Sequence, residues 1–201
     1  MFGFWEDTHI SSLLKLSDEA LSERVKLWDN QAFEVLYDRY KDKIFSYIWN
    51  ILNYNTDDAS NVLSDVFIKI FEYCKINQIQ NFKTLLYRFA HNTSVDWIRT
   101  NKSWFHVDEQ KAQLREDNQD SIEKENLNTE FKQAIMMKYL SQLDEKFRNV
   151  LYLYYYECKS YDEIAQIITS NKNTVWTMIF NAKKELKQKI KDQKMLKELM
   201  I

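Results

Sequence analysis

The sequence predicts an all-α fold in which two small helical domains are joined by a flexible acidic linker. Three features of the 201 residues support this prediction: there is one Gly and no Pro, apolar residues recur at three- and four-residue steps, and one polar, acidic stretch interrupts that spacing. Tight hairpins need Gly or a similar residue at positive φ. The composition therefore argues against a β-rich fold and favours helices.

The first domain is predicted over residues 29–103, and residues 1–28 are expected to be an N-terminal extension with a helix from about Asp18 to Trp28. The apolar stripes that predict three further amphipathic helices run over residues 33–51, 59–71 and 82–98. The rings of Phe82, Phe89 and Trp97 lie on the third stripe. We therefore expect these rings in the core.

The linker is predicted over residues 104–130, where apolar residues are sparse and acidic side chains outnumber basic ones. The second domain is predicted over residues 131–195. One of its helices should follow an N-cap at Asp144, and the run from Ser160 to Glu163 is typical of a capping box that opens a short helix. A longer helix after residues 169–171 then completes a helix-turn-helix.

Composition and motifs argue against an enzyme. A single Gly excludes the glycine-rich phosphate loops and the nucleophile elbow, and the pair Asp57-Asp58 is explained as a helix start. Cys74 and Cys158 lack the spacing of a metal site, so each is expected to pack as a small apolar residue; neither a metal nor a cofactor is predicted. No signal peptide or membrane-spanning stretch is recognisable, and a cytoplasmic protein is expected.

Two blocks of the sequence resemble the extracytoplasmic-function (ECF) sigma factors, a group within the sigma-70 family of bacterial RNA polymerase subunits. In the second domain, residues 160–168, followed by 173–175 and 181–186, are similar to the C-terminal helix-turn-helix of that family. In the first domain, residues 32–40 resemble its opening helix. The polymerase-binding and promoter-melting helices of the family are matched by residues 65–71 and 82–99.

The resemblance implies a transcription initiation factor that binds the two largest subunits of core RNA polymerase and both double- and single-stranded promoter DNA. The first domain would clamp onto a coiled coil of the largest subunit and open the −10 region. The residues expected to bind polymerase are Asn61, Ser64, Asp65 and Lys69. The residues expected at the −10 DNA are Lys75, Asn77, Gln78, Lys83, Arg88, His91, Asn92, Arg99 and Lys102.

Among the residues expected at the −10 DNA, the pair Asn77 and Gln78 has an alternative role, and His91 has an expected protonation state. Asn77 and Gln78 can read a base edge by paired hydrogen bonds, and the alternative is that their stretch is a polar surface loop. His91 is expected to be a neutral donor on the surface rather than a catalytic base or a metal ligand.

The second domain would bind the polymerase flap and the −35 duplex. The residues expected at the −35 DNA are Lys172, Asn173, Thr174, Trp176, Thr177, Asn181, Lys183 and Lys184. The family often carries Lys or Arg where Trp176, Met178 and Asn181 stand, so we expect weak −35 binding. A DNA-targeting helper protein or an anti-sigma factor is an expected partner. Two alternatives stay open: Trp176 either packs on a partner or a thymine methyl group or is partly buried, and the lysines of residues 183–197 contact DNA or face solvent.

The alternative function is a helix-turn-helix regulator that binds DNA without polymerase. The acidic linker and the separate melting-type helix argue against this alternative, because a dimeric regulator needs neither of them.

Overall fold

The computed structural model describes residues 10–101 and 139–199, with side chains described as far as Lys191 in the last helix. The predicted linker, Lys102 and residues 131–138 of the predicted second domain lie outside the described residues. The described ranges contain helices and turns and no strand, which confirms the all-α prediction. Within the described residues, no helix is both long enough and apolar enough to cross a bilayer.

A short helical turn at residues 10–13 precedes the helices of the first domain. Their bounds are α1 Asp18–Lys26, α2 Asn30–Ile51, α3 Thr56–Ile76 and α4 Phe82–Thr100. Each helix follows a polar residue whose side-chain oxygen accepts a backbone N–H of the first turn; these residues are Ser17, Asp29, Asn55 and Asn81. A cap of this kind stabilises a helix by about 1 kcal/mol. The caps therefore determine where the four helices begin.

The core of the first domain lies between α2, α3 and α4, and α1 contacts all three helices. Tyr47 and Tyr87 are fully buried, and their ring centroids lie 5.2 Å apart. Phe82 is also fully buried, whereas Phe89 and Trp97 pack half-buried against the core. The expectation that the rings of the third stripe are core residues is therefore confirmed.

A polar cluster fixes α1 against the rest of the first domain. The Asp18 carboxylate accepts a hydrogen bond from Arg39 Nη1 at 2.7 Å and another from the Tyr40 hydroxyl. Glu19 Oε1 accepts the backbone N–H of Phe82 at 3.3 Å. Helix α1 is thus held both to α2 and to the beginning of α4.

In the described part of the second domain, the helices with defined bounds are α5 Glu145–Tyr155, α6 Tyr161–Ile167 and α7 Lys172–Leu199. The predicted capping box is present: the backbone N–H of Glu163 donates to Ser160 Oγ, and the Ser160 N–H donates to the Glu163 carboxylate. The buried residues Val175, Ile179 and Ala182 lie on one stripe of α7, which packs on α5 and α6. The helix-turn-helix prediction is confirmed.

One local prediction is confirmed and one was wrong. Asp144 is the N-cap of α5, as predicted, although its side chain makes no capping hydrogen bond and its carboxylate faces Lys146 Nζ at 3.9 Å. Cys158 is exposed, because it occupies a turn with φ of 49° between α5 and α6, and does not pack as an apolar residue. Cys74 is buried, as expected.

The two domains touch each other. Helix α5 packs on α2, and α6 packs on α4. Arg148 of α5 is only 5% exposed, and its guanidinium reaches the C-terminal end of α2. The interface between the domains is therefore anchored by a buried cation.

The scarcity of glycine shows in the turns. Left-handed backbone is adopted by Trp28, Asn53, Tyr54, Cys158 and Thr169, none of which is Gly. A residue with a Cβ atom is strained there by about 1–2 kcal/mol. Thr169, between α6 and α7, is the β-branched member of this set, for which positive φ is least favourable. The turn of the helix-turn-helix therefore holds strain that a glycine would relieve.

Replacing Thr169 by Gly should stabilise the second domain by about 1 kcal/mol, because Gly adopts positive φ without a steric penalty. Urea unfolding of the full chain, followed by circular dichroism, measures this change as a higher midpoint. The matched control is Ser170→Gly at the next position, which has no positive φ and should be neutral or destabilising. An equal gain from both variants would contradict the explanation by strain.

Candidate nucleic-acid and polymerase interfaces

The outer face of α3 takes no part in the packing of the first domain. Asn61, Ser64, Asp65 and Lys69 are all exposed along it at helical spacing, while the opposite side of the helix is buried. Lys69 Nζ donates to Thr93 Oγ1 of α4 at 3.3 Å. All four residues that were expected to bind polymerase thus share one face.

Ile68 lies among these polar residues and is 62% exposed. No site role was predicted for Ile68, although an isoleucine outside the buried stripe of an amphipathic helix is a recognisable signal. An apolar side chain surrounded by polar ones is typical of the centre of a protein interface. We add Ile68 to the candidate polymerase-binding face.

The loop between α3 and α4 presents one of its two candidate base readers. Asn77 ends α3, and its Nδ2 donates to the Tyr73 carbonyl at 3.1 Å, so this amide is engaged locally. Gln78 is exposed, and the buried Ile79 anchors the loop beneath it. Of the two, Gln78 offers an exposed amide to a base edge.

Lys75, at the end of α3, is held by its neighbours. Its Nζ lies 2.9 Å from a Glu72 carboxylate oxygen. The same ammonium lies 4.1 Å from the ring centroid of Phe71 and 5.1 Å from that of Trp28. A phosphate would therefore have to compete with a carboxylate and two rings for this cation.

The −10 candidates on α4 divide between two flanks of the helix. Arg88, Asn92 and Arg99 are exposed, and Arg99 Nη2 pairs with Asp96 at 2.7 Å. Lys83 is half-buried near the start of the helix. The exposed flank places cationic and amide groups along one side of α4, as binding of a DNA strand requires.

His91 lies on the other flank, where it is half-buried and accepts a hydrogen bond, so a neutral imidazole agrees with the prediction and the surface donor does not. Its Nδ1 is 2.9 Å from Asn149 Nδ2 of the second domain. An amide nitrogen only donates, so the imidazole accepts this hydrogen bond and is neutral. Burial lowers the pKa of His91 to about 4. The second domain covers this candidate because α5 and α6 pack against the first domain.

On the recognition helix α7, two of the three candidate lysines are engaged within the chain. Lys172 Nζ pairs with Asp162 at 2.7 Å, and Lys183 Nζ lies 4.8 Å and 5.3 Å from the ring centroids of Tyr154 and Tyr155. Lys184 is exposed. The positive charge that this surface offers to DNA phosphates is correspondingly small.

The exposed face of α7 carries a pair of aromatic rings instead. Trp176 is 53% exposed and Phe180 is 56% exposed, and their rings stack at a centroid distance of 5.6 Å. About half of Trp176 is therefore accessible to a partner, while the rest is covered within the domain, in part by Phe180. Phe180 was missed in the sequence analysis, although its spacing of four residues from Trp176 predicts a shared face.

Beside the aromatic pair, the polar candidates of α7 line a shallow groove of about 440 Å³ against the beginning of α5. Its lining includes Asn173, Thr174, Thr177 and Asn181, together with Lys146 from α5. The Thr174 and Thr177 hydroxyls already bond within their own turn. Asn173 and Asn181 are both exposed. Lys146 adds a cation that the sequence analysis did not select.

Among residues 10–101 and 139–191, no group of three His, Cys, Asp or Glu side chains could hold a metal ion. The arrangement of the candidate residues is that of binding surfaces, which lie on exposed helix faces and one loop.

Two family models match the chain, one in each domain. The model described as Sigma-70 region 2 matches residues 36–103, and the model described as Sigma-70, region 4 matches residues 133–186. Together the two matches cover more than half of the sequence. They follow the order in which the two domains occur.

Curated relatives match almost the full length. The ECF RNA polymerase sigma factor SigW of Bacillus subtilis is 29% identical over 185 residues, which cover 85% of this chain and 95% of SigW. The ECF RNA polymerase sigma-E factor of Haemophilus influenzae is 29% identical over 187 residues, which cover 88% of this chain and 96% of that protein.

A solved structure shares the fold. It is the structure of CnrH in complex with the cytosolic domain of CnrY, which matches with a TM-score of 0.63 and 17% sequence identity. The match covers 87% of this chain and 97% of that chain.

The buried position of His91 predicts how the domain contact responds to pH. An exposed histidine takes up a proton near pH 6.5, whereas burial lowers the pKa of His91 to about 4. The separated form therefore binds more protons between these values, and the contact should weaken as the pH falls from about 6.5 to about 4.

Proton NMR of the imidazole Cε1–H, assigned with a His91→Gln variant, measures this titration in the full chain. We expect the His91 signal to report the neutral form at pH 5.5. A pKa of 6.5 or above would contradict the buried position.

Proposed function

This chain belongs to the sigma-70 family and, within it, to the ECF sigma factors. On that basis we propose which of its surfaces bind polymerase, the −10 DNA and the −35 DNA during transcription initiation. As a sigma factor, the chain binds RNA polymerase and directs it to promoters. The observation that carries the proposal is that α3, α4 and α7 each keep one face outside the helix packing. Both sigma-70 regions occur in one chain, so a helix-turn-helix regulator without polymerase is not favoured.

The outer face of α3 is the proposed binding surface for the coiled coil of the largest polymerase subunit. It combines the exposed apolar side chain of Ile68 with the carboxylate of Asp65 and the polar groups of Asn61 and Ser64. An apolar centre that loses water inside a polar rim is the arrangement that supplies most of the free energy in protein interfaces. The remaining face residue, Lys69, is steadied by Thr93.

The exposed flank of α4 and the loop before it are proposed to hold the opened −10 DNA. Arg88 and Arg99 supply positive charge for the phosphates, and Asn92 and Gln78 supply amides for base edges. The ion pair between Arg99 and Asp96 is exposed, and such pairs contribute little free energy, so a phosphate can replace the carboxylate.

We propose weak recognition of the −35 duplex by α7. Its lysines Lys172 and Lys183 are engaged, and its exposed centre is the stacked pair of Trp176 and Phe180. Fewer phosphate contacts lower the affinity for duplex DNA. Aromatic rings of this size are enriched at the centres of protein interfaces. A DNA-targeting helper protein that docks on these rings would compensate for the missing charge.

A regulatory protein partner is part of the proposal as well. CnrH, which shares the fold, was solved in complex with the cytosolic domain of CnrY. We propose that an anti-sigma protein regulates this chain in the cytoplasm, where transcription takes place.

The polymerase-binding surface is tested by Ile68→Asp. A carboxylate at the centre of the α3 face should weaken binding to core polymerase by about tenfold or more, because a charge would be buried in the interface. Affinity is measured by titrating labelled full chain with purified core polymerase. The control is Leu14→Asp, which places the same charge on a similarly exposed apolar residue that precedes α1 and lies outside α3, and it should bind like the wild type. Equal loss in both variants would refute the assignment of the face.

Weak −35 recognition is tested on promoters mapped with the purified holoenzyme. A base pair that is read directly contributes about 1–3 kcal/mol to specific binding. Because α7 is proposed to read the −35 duplex only weakly, scrambling the −35 element should change open-complex formation by less than about threefold. Scrambling the −10 element of the same promoters is the control and should remove most activity. A strong dependence on the −35 sequence without any added protein would overturn this part of the proposal.

A further inference from the structure

Trp28 occupies a position at which the backbone favours glycine. Helix α1 ends in two backbone hydrogen bonds: the Trp28 N–H donates to the Val25 carbonyl at 2.9 Å, and the Asp29 N–H donates to the Arg24 carbonyl at 3.1 Å. This pair forms a Schellman motif, in which the residue after the C-cap adopts left-handed backbone and is usually Gly. That residue is Trp28, with φ of 68°. The turn therefore needs the backbone conformation of residue 28 and gains nothing from a bulky side chain.

The Trp28 side chain is also little used in packing. The residue is 73% exposed and does not belong to the apolar core of the first domain. Its ring centroid lies 5.1 Å from Lys75 Nζ, at the end of α3. An exposed contact between a cation and a ring is weak and offsets little of the strain. Because strained backbone concentrates at functional sites, a residue that neither the turn nor the core requires points to a binding role.

The ring lies beside the loop that is proposed to hold the −10 DNA. Gln78 comes three residues after Lys75, so at most about 11 Å separates their Cα atoms. Since the Lys75 ammonium contacts the Trp28 ring and the Gln78 amide is exposed, ring and amide can serve neighbouring nucleotides of one strand. Proteins that hold unpaired strands combine an aromatic ring for base stacking with cations for the backbone.

We propose that the Trp28 ring is a stacking platform for an unpaired base of the opened −10 DNA, next to the nucleotide whose edge meets Gln78. This inference rests on the proposed function of the loop and of α4, and it adds a residue from the turn between α1 and α2. Stacking tolerates any base, because every base has a π face. Trp28 therefore adds affinity for the opened strand and little sequence preference.

The first experiment measures binding of purified holoenzyme to a premelted promoter, whose −10 element was mapped with the same holoenzyme. Trp28→Leu keeps an apolar side chain and removes the π face, so it should weaken binding about fivefold or more. Trp28→Phe keeps a ring and should retain most of the affinity. The matched control is Leu27→Ala, which trims a similarly exposed apolar neighbour and should bind like the wild type. Equal losses in the Leu and Phe variants would contradict stacking.

Abasic sites, placed one at a time along the unpaired non-template strand, identify the stacked base. At that position the wild type should lose affinity, whereas Trp28→Leu should lose little more, because the partner of the base is already missing. At the other positions both proteins should lose affinity equally. The inference is overturned if Trp28→Leu binds like the wild type, or if no position shows this non-additive loss.

Two further measurements separate stacking from a structural role and from a protein contact. Trp28→Gly should unfold in urea at the midpoint of the wild type or above it, because Gly relieves the strain, and should still lose DNA affinity as Trp28→Leu does. A clearly lower midpoint would show that the ring supports the fold. Weaker binding of Trp28→Leu to core polymerase would show a protein contact. Either result overturns the inference.

Arg88→Ala tests the underlying −10 surface separately. It removes an exposed cation from α4 and should weaken binding to the premelted promoter. If Arg88→Ala weakens binding and Trp28→Leu does not, the inference alone fails. If Arg88→Ala, Gln78→Ala and Trp28→Leu all bind like the wild type, the proposed −10 surface is wrong and the inference fails with it.

Discussion

The backbone groups at the helix ends must find partners in a chain with one glycine, and much of the structure follows from that constraint. At the N-termini, short polar side chains such as Asp29 and Ser160 accept the first amides. Several C-termini are followed by residues such as Thr169 that adopt left-handed backbone despite their side chains. At the end of α2, the carbonyls are taken by Arg148 from the other domain. A local requirement of one helix thereby becomes the principal contact between the domains.

The positive charge of the candidate DNA surfaces is largely engaged within the chain. Lys75, Arg99 and Lys172 each face a carboxylate of their own domain. Exposed ion pairs contribute little free energy, so phosphates can displace these carboxylates but gain little net attraction. Such surfaces bind DNA well only when another protein holds them close to it. In the proposed function polymerase would supply that proximity, since two domains fixed on one large enzyme meet the promoter at a high effective concentration.

Local features of the structure could be predicted from the sequence, and contacts between distant residues could not. The amphipathic stripes, the capping box at Ser160 and the helix-turn-helix depend on residues a few positions apart, so their spacing is visible in one sequence. The environment of His91 depends on Asn149, which lies in the other domain. Arg148 stands between Phe147 and Asn149 in α5 and offers no local sign that it caps α2. The exposure of Cys158 follows from a left-handed turn that its residue type does not predict.

The packing inside each domain differs in chemistry from the packing between the two domains. Inside each domain, contacts between Ile, Leu, Val and aromatic side chains exclude water, and their exposure would be unfavourable in any state. Between the domains, the central side chains are an arginine, a histidine, an asparagine and tyrosine hydroxyls. Each of these groups forms good hydrogen bonds with water, and an aromatic contact stands beside them, between Tyr47 and Tyr152 with ring centroids 5.8 Å apart. The contact between the domains therefore has a polar centre with an aromatic edge, and its geometry depends on directed hydrogen bonds more than the apolar core of either domain does.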